Sequence, residues 1–254
     1  MLESIFVENF RENTWDSLIY YSVAIANEYQ LPDKFSDDDI VVDVGAHIGS
    51  FARAVLERGS SQIYAVEADL ENYRIAARNL REGIDLGKVA LTYGAVWRSD
   101  LNEDILYYES DRNRRNTGGG VVWGKKGTPV PKIAFDDFLM HVTDQGGRTI
   151  RLLKIDCEGS EWPILLTSER LDLLTEICGE FHEMGGEYDR LEPPFSIRGW
   201  SKFSVNELIR FLDAKGFETT FRRHPGYDGR PSRLGAFWSA RTKRATGTRG
   251  FNLG

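Results

Sequence analysis

The chain has 254 residues, enough for one large α/β domain with a single continuous core. Apolar residues make up 41% and charged residues 28%, an ordinary globular balance that excludes collagenous, disordered and disulfide-scaffold classes. A net charge of -7 argues against nucleic acid as the main partner, because phosphate backbones reward clustered Lys and Arg.

No apolar run approaches the roughly 20 residues of a spanning helix, and the opening MLESIFVENFRENTW lacks the basic start and apolar core of a signal peptide. No membrane partner and a cytoplasmic location are therefore expected. Cys157 and Cys178 lie in apolar segments without CxxC or Cys/His spacing, so they read as reduced thiols rather than zinc ligands. Arg112, Arg114 and Arg115, and the basic tail RTKRATGTRG, read as solvated surface, with contact to an anionic ligand as the alternative.

In chain order, Trp15, Leu18, Ile19, Val23 and Ile25 recur at helical spacing after Asn13 or Thr14 as cap, predicting an opening helix. IVVDVGA reads as a buried strand ending in a glycine turn, with SFARAVLER as its helix; QIYAVEA and LENYRIAARNLRE repeat the pattern, and KVALTYGAV reads as a third strand. Strand, turn and helix alternating at this spacing imply parallel strands with right-handed crossovers, the doubly wound class. Residues 100–131 break the rhythm with polar residues and three consecutive glycines, as an active-site lid would. IAFDDFLMHV reads as a short helix, TIRLLKIDCEG as a fourth strand, EWPILLTS as a helix and LTEICGEFHE as a fifth strand. SVNELIRFLDAKGF is an amphipathic helix with Ser204 as N-cap and Glu207 completing a capping box. FETTFRRH and RLGAFWSAR then pair as an antiparallel closing hairpin, giving a mostly parallel seven-stranded sheet. The expected organisation is one domain over 1–240, with 1–36 as a helical cap, and a loose tail over 241–254.

Ligands of open α/β sheets bind beyond the carboxyl ends of the strands. After the first strand comes Asp43-Val-Gly45-Ala46-His47-Ile-Gly49-Ser50, and after the second comes Glu67, about 20 residues past the glycines, where a carboxylate can accept both ribose hydroxyls. Together they indicate an adenosine-bearing ligand. The turn is GxxxG rather than GxGxxG, and Asp43 precedes it. A carboxylate there is awkward beside a pyrophosphate but suits the ammonium and sulfonium of S-adenosylmethionine; its other reading is a turn cap. The rival functions are an NAD-dependent oxidoreductase and a non-catalytic adenosine-nucleotide-binding module.

VVDVGAHIGSFA, AVEADLENYRIAARNL, GAV and above all LLKIDCEGSEWPIL followed by GEFHEM resemble the FkbM-type methyltransferases in order and spacing, over Asp39 to Met184. The resemblance implies a Rossmann-like class I methyltransferase fold and S-adenosylmethionine-dependent O-methylation of a small-molecule hydroxyl, on a natural product or a sugar. It places Asp43, Gly45, His47 and Gly49 around the methionine part, Glu67 on the ribose, and Ala95 and Val96 by the adenine; Ala46, Ser50, Ala68 and Asp156 complete the expected cofactor set.

Asp156 and Glu158 follow the fourth strand, while Glu180 and His182 end the fifth on one face by alternation. Methyl transfer requires alignment of the acceptor and removal of its proton. His182 is the expected base, from its ordinary pKa, with Asp156 and Glu158 as the other catalytic candidates. No resident metal is required; Mg²⁺ is possible, and its ligands would be Asp156, Glu180 and His182. Lys154, within the apolar RLLKID, needs a carboxylate partner, expected among Asp136, Asp137 and Glu180. Tyr188, Phe195 and Trp200 are expected to wall the acceptor, the alternative being that they pack on the core.

Overall fold

The structure is a computed structural model that describes residues 9–59, 62–109, 117–121, 127–185, 193–226 and 231–242. The opening helix α1 (Asp16–Tyr20) begins where the Thr14 hydroxyl accepts the Asp16 N–H at 3.3 Å. It runs into a π-helical turn, Tyr21–Ile25, that buries Val23 and Ala24.

β1 (Ile40–Val44), α2 (Ser50–Glu57), β2 (Gln62–Glu67) and α3 (Leu70–Asn79) follow as read from the pattern. Asp69 caps α3 by accepting the Glu71 and Asn72 N–H groups, both at 2.8 Å. A short α4 (Arg81–Asp85) leads to β3 (Val89–Tyr93). The third strand is shorter than expected. After Gly94 the chain leaves the main sheet, and β4 (Ala95–Trp97) pairs in parallel with a later strand. The insertion holds β5 (Leu106–Glu109), β6 (Gly119–Gly120) and β7 (Thr128–Pro129), three short antiparallel pieces. β8 (Lys132–Ala134), the partner of β4, precedes α5 (Phe135–Val142).

β9 (Ile150–Ile155), α6 (Glu161–Leu166) and β10 (Leu174–His182) supply the fourth and fifth strands with their helix. In α7 (Val205–Ala214) the Ser204–Glu207 capping box is present as expected. β11 (Phe217–Pro225) and β12 (Pro231–Arg241) form the hairpin, with β12 inserted between β10 and β11. Residues 243–254 of the expected tail lie outside the described residues, and Arg241 still belongs to β12.

The seven strands run in the order β3-β2-β1-β9-β10-β12-β11, parallel as far as β10 and antiparallel at β12 and β11. The chain moves outward from β1 through β2 to β3, then returns to β9 on the other side of β1. That reversal opens a crevice at the carboxyl ends of β1 and β9. β1 is buried along its whole length, and its alternate residues feed opposite faces. Ile40, Val42 and Val44 join one apolar cluster with Leu153, Ile155 and Ile177, while Val41 joins another with Phe51, Ile63 and Leu152. Among the described residues no helix is long and apolar enough to cross a membrane.

Candidate active site

A cavity of about 990 Å³ lies at this crevice. One end is built by the turn after β1, where Gly45 holds φ at +82°. A Cβ on Gly45 would lie 2.0 Å from the Asp156 carbonyl oxygen, so only glycine lets the two strand ends approach this closely. Gly45, Ala46, His47, Ser50, Glu67 and Ala68 line this end, and Ala95 and Val96 line it from the strand that leaves the sheet.

Two residues of the expected cofactor set stand behind the wall: neither Asp43 nor Gly49 lines the cavity. Gly49 precedes α2 and faces the Leu80 side chain. Asp43 is wholly buried, and its Oδ1 lies 3.2 Å from Lys154 Nζ. This corrects the expected partners of Lys154. Asp43 and Lys154 are directly opposed in the β1–β9 register, so they meet on one face. Asp136 instead accepts the Ser168 hydroxyl at 2.5 Å and the Glu169 N–H at 2.9 Å, Asp137 is exposed, and Glu180 lies two residues past the β10 register partner of Lys154. Lys154 also donates to the Gly45 carbonyl at 2.6 Å, so the buried pair fixes the turn from below. Burial opposes its charge, but Asp43 and Asp156 outweigh this and raise the ammonium pKa.

Glu67 Oε2 accepts the His47 N–H and Oε1 the Asp69 N–H, each at 2.7 Å. Burial nevertheless pushes its carboxyl up to about 7. His47 sits at φ +53° with its Nε2 2.7 Å from the Thr117 hydroxyl, and burial holds its pKa down at about 4. The buried atoms His47 Nδ1, Ser50 Oγ, Asn72 Oδ1 and Ser160 Oγ have no hydrogen-bond partner among the described residues. All four residues line the cavity. Unpaired buried polar atoms are rare, so this wall fits a polar ligand with several donors and acceptors, as S-adenosylmethionine is.

At the other end Asp156, Glu158, Glu180 and His182 all line the cavity, as alternation implied. Tyr29 donates its hydroxyl to Asp156 Oδ2 at 3.0 Å. His182 is 3% exposed, with Nδ1 3.1 Å from Glu161 and Nε2 3.4 Å from Glu158 and 3.8 Å from Glu180. Burial disfavours the imidazolium, but Glu161, Glu158 and Glu180 outweigh it and raise the pKa to about 10. The three carboxylates thus favour the charged imidazole over the neutral form that a base requires. Glu161 also accepts the Cys157 and Gly159 N–H groups, both at 2.8 Å, and so fixes the turn as well as the imidazole.

The insertion reaches the cavity through Tyr107 and residues 118–121. A Cβ on Gly120 would lie 3.2 Å from Glu158 Cβ and Glu158 O, so this glycine lets the strap lie flat on the turn after β9. Trp15, Leu18, Ile19 and Val23 of the opening segment form the apolar wall. Phe195 and Trp200 do not line the cavity. They pack on Phe203 and Phe211, with ring centroids 5.0 and 5.8 Å apart. Tyr188, Arg112, Arg114 and Arg115 lie outside the described residues.

Residues 43–219 match the model of the methyltransferase FkbM domain. The chain belongs to the FkbM methyltransferase family. It is thereby an S-adenosylmethionine-dependent methyltransferase, and the nicotinamide reading falls away. Among solved structures, an FkbM methyltransferase from Methylobacillus flagellatus KT matches with 16% identity and a TM-score of 0.50, over 87% of this chain and 47% of that one. This chain thus spans about half the length of that relative. A precorrin-6y C5,15-methyltransferase from Geobacter metallireducens GS-15 matches with 10% identity and a TM-score of 0.46, over 95% and 96% of the two chains. No curated protein matches the sequence.

Among the residues of this FkbM methyltransferase site that sequence reasoning missed, four bear on the account. Tyr29, Asn72 and Ser160 line the cavity, and Glu161 supports it. Glu161 and Ser160 stand within LLKIDCEGSEW and were available as side chains without assigned work. Nothing local marks Tyr29, which reaches Asp156 across 127 positions of sequence.

Proposed function

We propose that this methyltransferase acts on a hydroxyl oxygen of a small molecule, with Asp156 receiving the hydroxyl proton. The observation that carries the reading is the Asp156 carboxylate, held by Tyr29 on Oδ2 while Oδ1 makes no hydrogen bond among the described residues. It lines the cavity where the β1 and β9 ends meet, while the carboxylates around His182 favour the charged imidazole, which supports Asp156 as the proton acceptor.

Ser50, His47 and the turn after β1 hold the methionine part, and Glu67 the ribose hydroxyls, with Ala95 and Val96 beside the adenine. When bound, the sulfonium supplies an electrophilic methyl group. Tyr29 fixes the Asp156 carboxyl plane, and Glu161 holds His182 so that its charge faces Glu158 and Glu180. Trp15, Leu18 and Ile19 give the acceptor side an apolar wall. A cavity near 990 Å³ suits a cofactor with a compact acceptor, such as a natural product or a sugar. The net charge of -7 gives a nucleic acid no evident backbone track.

Asp156, Glu180 and His182 bring ligand atoms within 4.8 Å of one another. Mg²⁺ enters this reading only if chelation abolishes turnover and added Mg²⁺ restores it.

The test is a screen of hydroxylated scaffolds with S-adenosylmethionine, read by mass. A product gaining one methyl group on oxygen, with stoichiometric S-adenosylhomocysteine, supports the reading. Transfer to nitrogen or carbon contradicts the oxygen assignment, and cofactor binding without any turnover contradicts catalysis.

A further inference from the structure

Asn72 stands on the first turn of α3, with its backbone N–H held by the Asp69 cap. It is 2% exposed and lines the cavity beside Glu67 and Ala68. Its Nδ2 donates to the Thr117 carbonyl at 2.9 Å, while its Oδ1 is buried with no partner among the described residues. Flipping the amide would set two carbonyl oxygens against each other, so the Thr117 contact fixes which end carries the oxygen. The missing donor must then come from whatever fills the cavity.

Thr117 begins the strap that crosses the site. Its hydroxyl lies 2.7 Å from His47 Nε2 and 3.2 Å from Asp16 Oδ1, and Asp16 is itself wholly buried and paired with Arg11 at 2.9 Å. Three residues further on, Gly120 lies against Glu158 and Cys157. One strap thus runs from the turn after β1 to the turn after β9.

We propose that Asn72 Oδ1 accepts a hydrogen bond from the adenosine of the cofactor, from a ribose hydroxyl or the adenine amino group. The same side chain holds Thr117, so cofactor binding and seating of the strap are one event. The cofactor then precedes the acceptor, because the strap completes the acceptor side. This rests on the S-adenosylmethionine reading of the cavity and adds its reader and its order of binding.

The experiment uses the full chain with S-adenosylhomocysteine and three analogues: 2′-deoxy, 3′-deoxy and N6,N6-dimethyladenine forms. Calorimetry gives affinity, and hydrogen exchange gives protection of amides 118–121. In the wild type, S-adenosylhomocysteine should protect these amides, and at saturation one analogue should protect them less. Asn72→Ala should bind S-adenosylhomocysteine about 10–100-fold more weakly and become indifferent to the change in that one analogue. Equal protection by all four ligands overturns the proposal without any variant, as does an Asn72→Ala protein with wild-type affinity and unchanged analogue penalties. No binding of S-adenosylhomocysteine to the wild type overturns the cofactor reading itself, whereas binding with unaltered exchange at 118–121 overturns only the Asn72 coupling.

Discussion

Asp156, Glu158, Glu180 and His182 crowd the ends of β9 and β10, and their surroundings divide the work between them. Glu161, Glu158 and Glu180 raise the His182 pKa to about 10 against the penalty of burial, which favours the charged imidazole. At saturating S-adenosylmethionine, where Glu67 is already engaged, the pH profile of kcat/KM for the acceptor should show no acid limb centred near pH 6.5; a limb at that position would return the imidazole to the role of base. Asp156→Asn should lower kcat by about 10²–10⁴-fold while the Kd for S-adenosylhomocysteine stays close to that of the wild type. Normal turnover in a folded variant would refute the assignment. Glu67 carries a different signature. Burial raises its carboxyl to about 7 in the free protein, and hydroxyl donors from a ribose favour the ionised form. Binding of S-adenosylhomocysteine at pH 7 should thus release protons, seen as heats that vary with the ionisation enthalpy of the buffer. Buffer-independent heats would mean that Glu67 does not meet the ribose.

At the scale of elements, the strap over residues 117–121 closes by backbone contact, and Gly120 is the point where a side chain would intrude. Gly120→Ala must displace the Glu158 turn by a few tenths of an ångström, since the added carbon would lie 3.2 Å from Glu158 Cβ and Glu158 O. The expected result is a lower kcat/KM, because Glu158 lines the cavity; unchanged kinetics would show that the strap does not set the turn. Most strands and helices were legible because each carries its period and its stop signal, as with the Ser204–Glu207 box or the glycine turn after IVVDV. What was hidden depends on register and on distant contact. Lys154 meets Asp43 only because β1 and β9 pair at those two positions, and no local pattern states that register. The departure of Ala95–Trp97 from the sheet was hidden too, since its apolar residues continue those of Val89–Tyr93 and only Gly94 marks the break.

For the whole molecule, the buried titrating groups set how stability follows pH. His182 has its folded pKa raised from 6.5 to about 10, so its contribution is fully present below 6.5 and is lost as pH rises through about 10. Glu67, raised from 4.5 to about 7, adds a loss in the same direction between those values. His47, lowered from 6.5 to about 4, acts oppositely: its contribution is present above 6.5 and is lost as pH falls through about 4. Below about 6.5 the Glu67 and His47 effects oppose each other, so Tm should decline mainly from about 6.5 to about 10, and His182→Gln should flatten that decline. An equally steep decline in that variant would show that His182 is not the group responsible. The chain-wide account is that one crevice, opened where strand order reverses between β1 and β9, holds the methyl donor against Glu67 and points it at Asp156. The structure of the complex with S-adenosylhomocysteine tests this most directly. The account predicts ribose hydroxyls on the Glu67 carboxylate and the sulfur turned toward Asp156 across the cavity; an adenosine bound away from Glu67, or a sulfur facing away from Asp156, would contradict it.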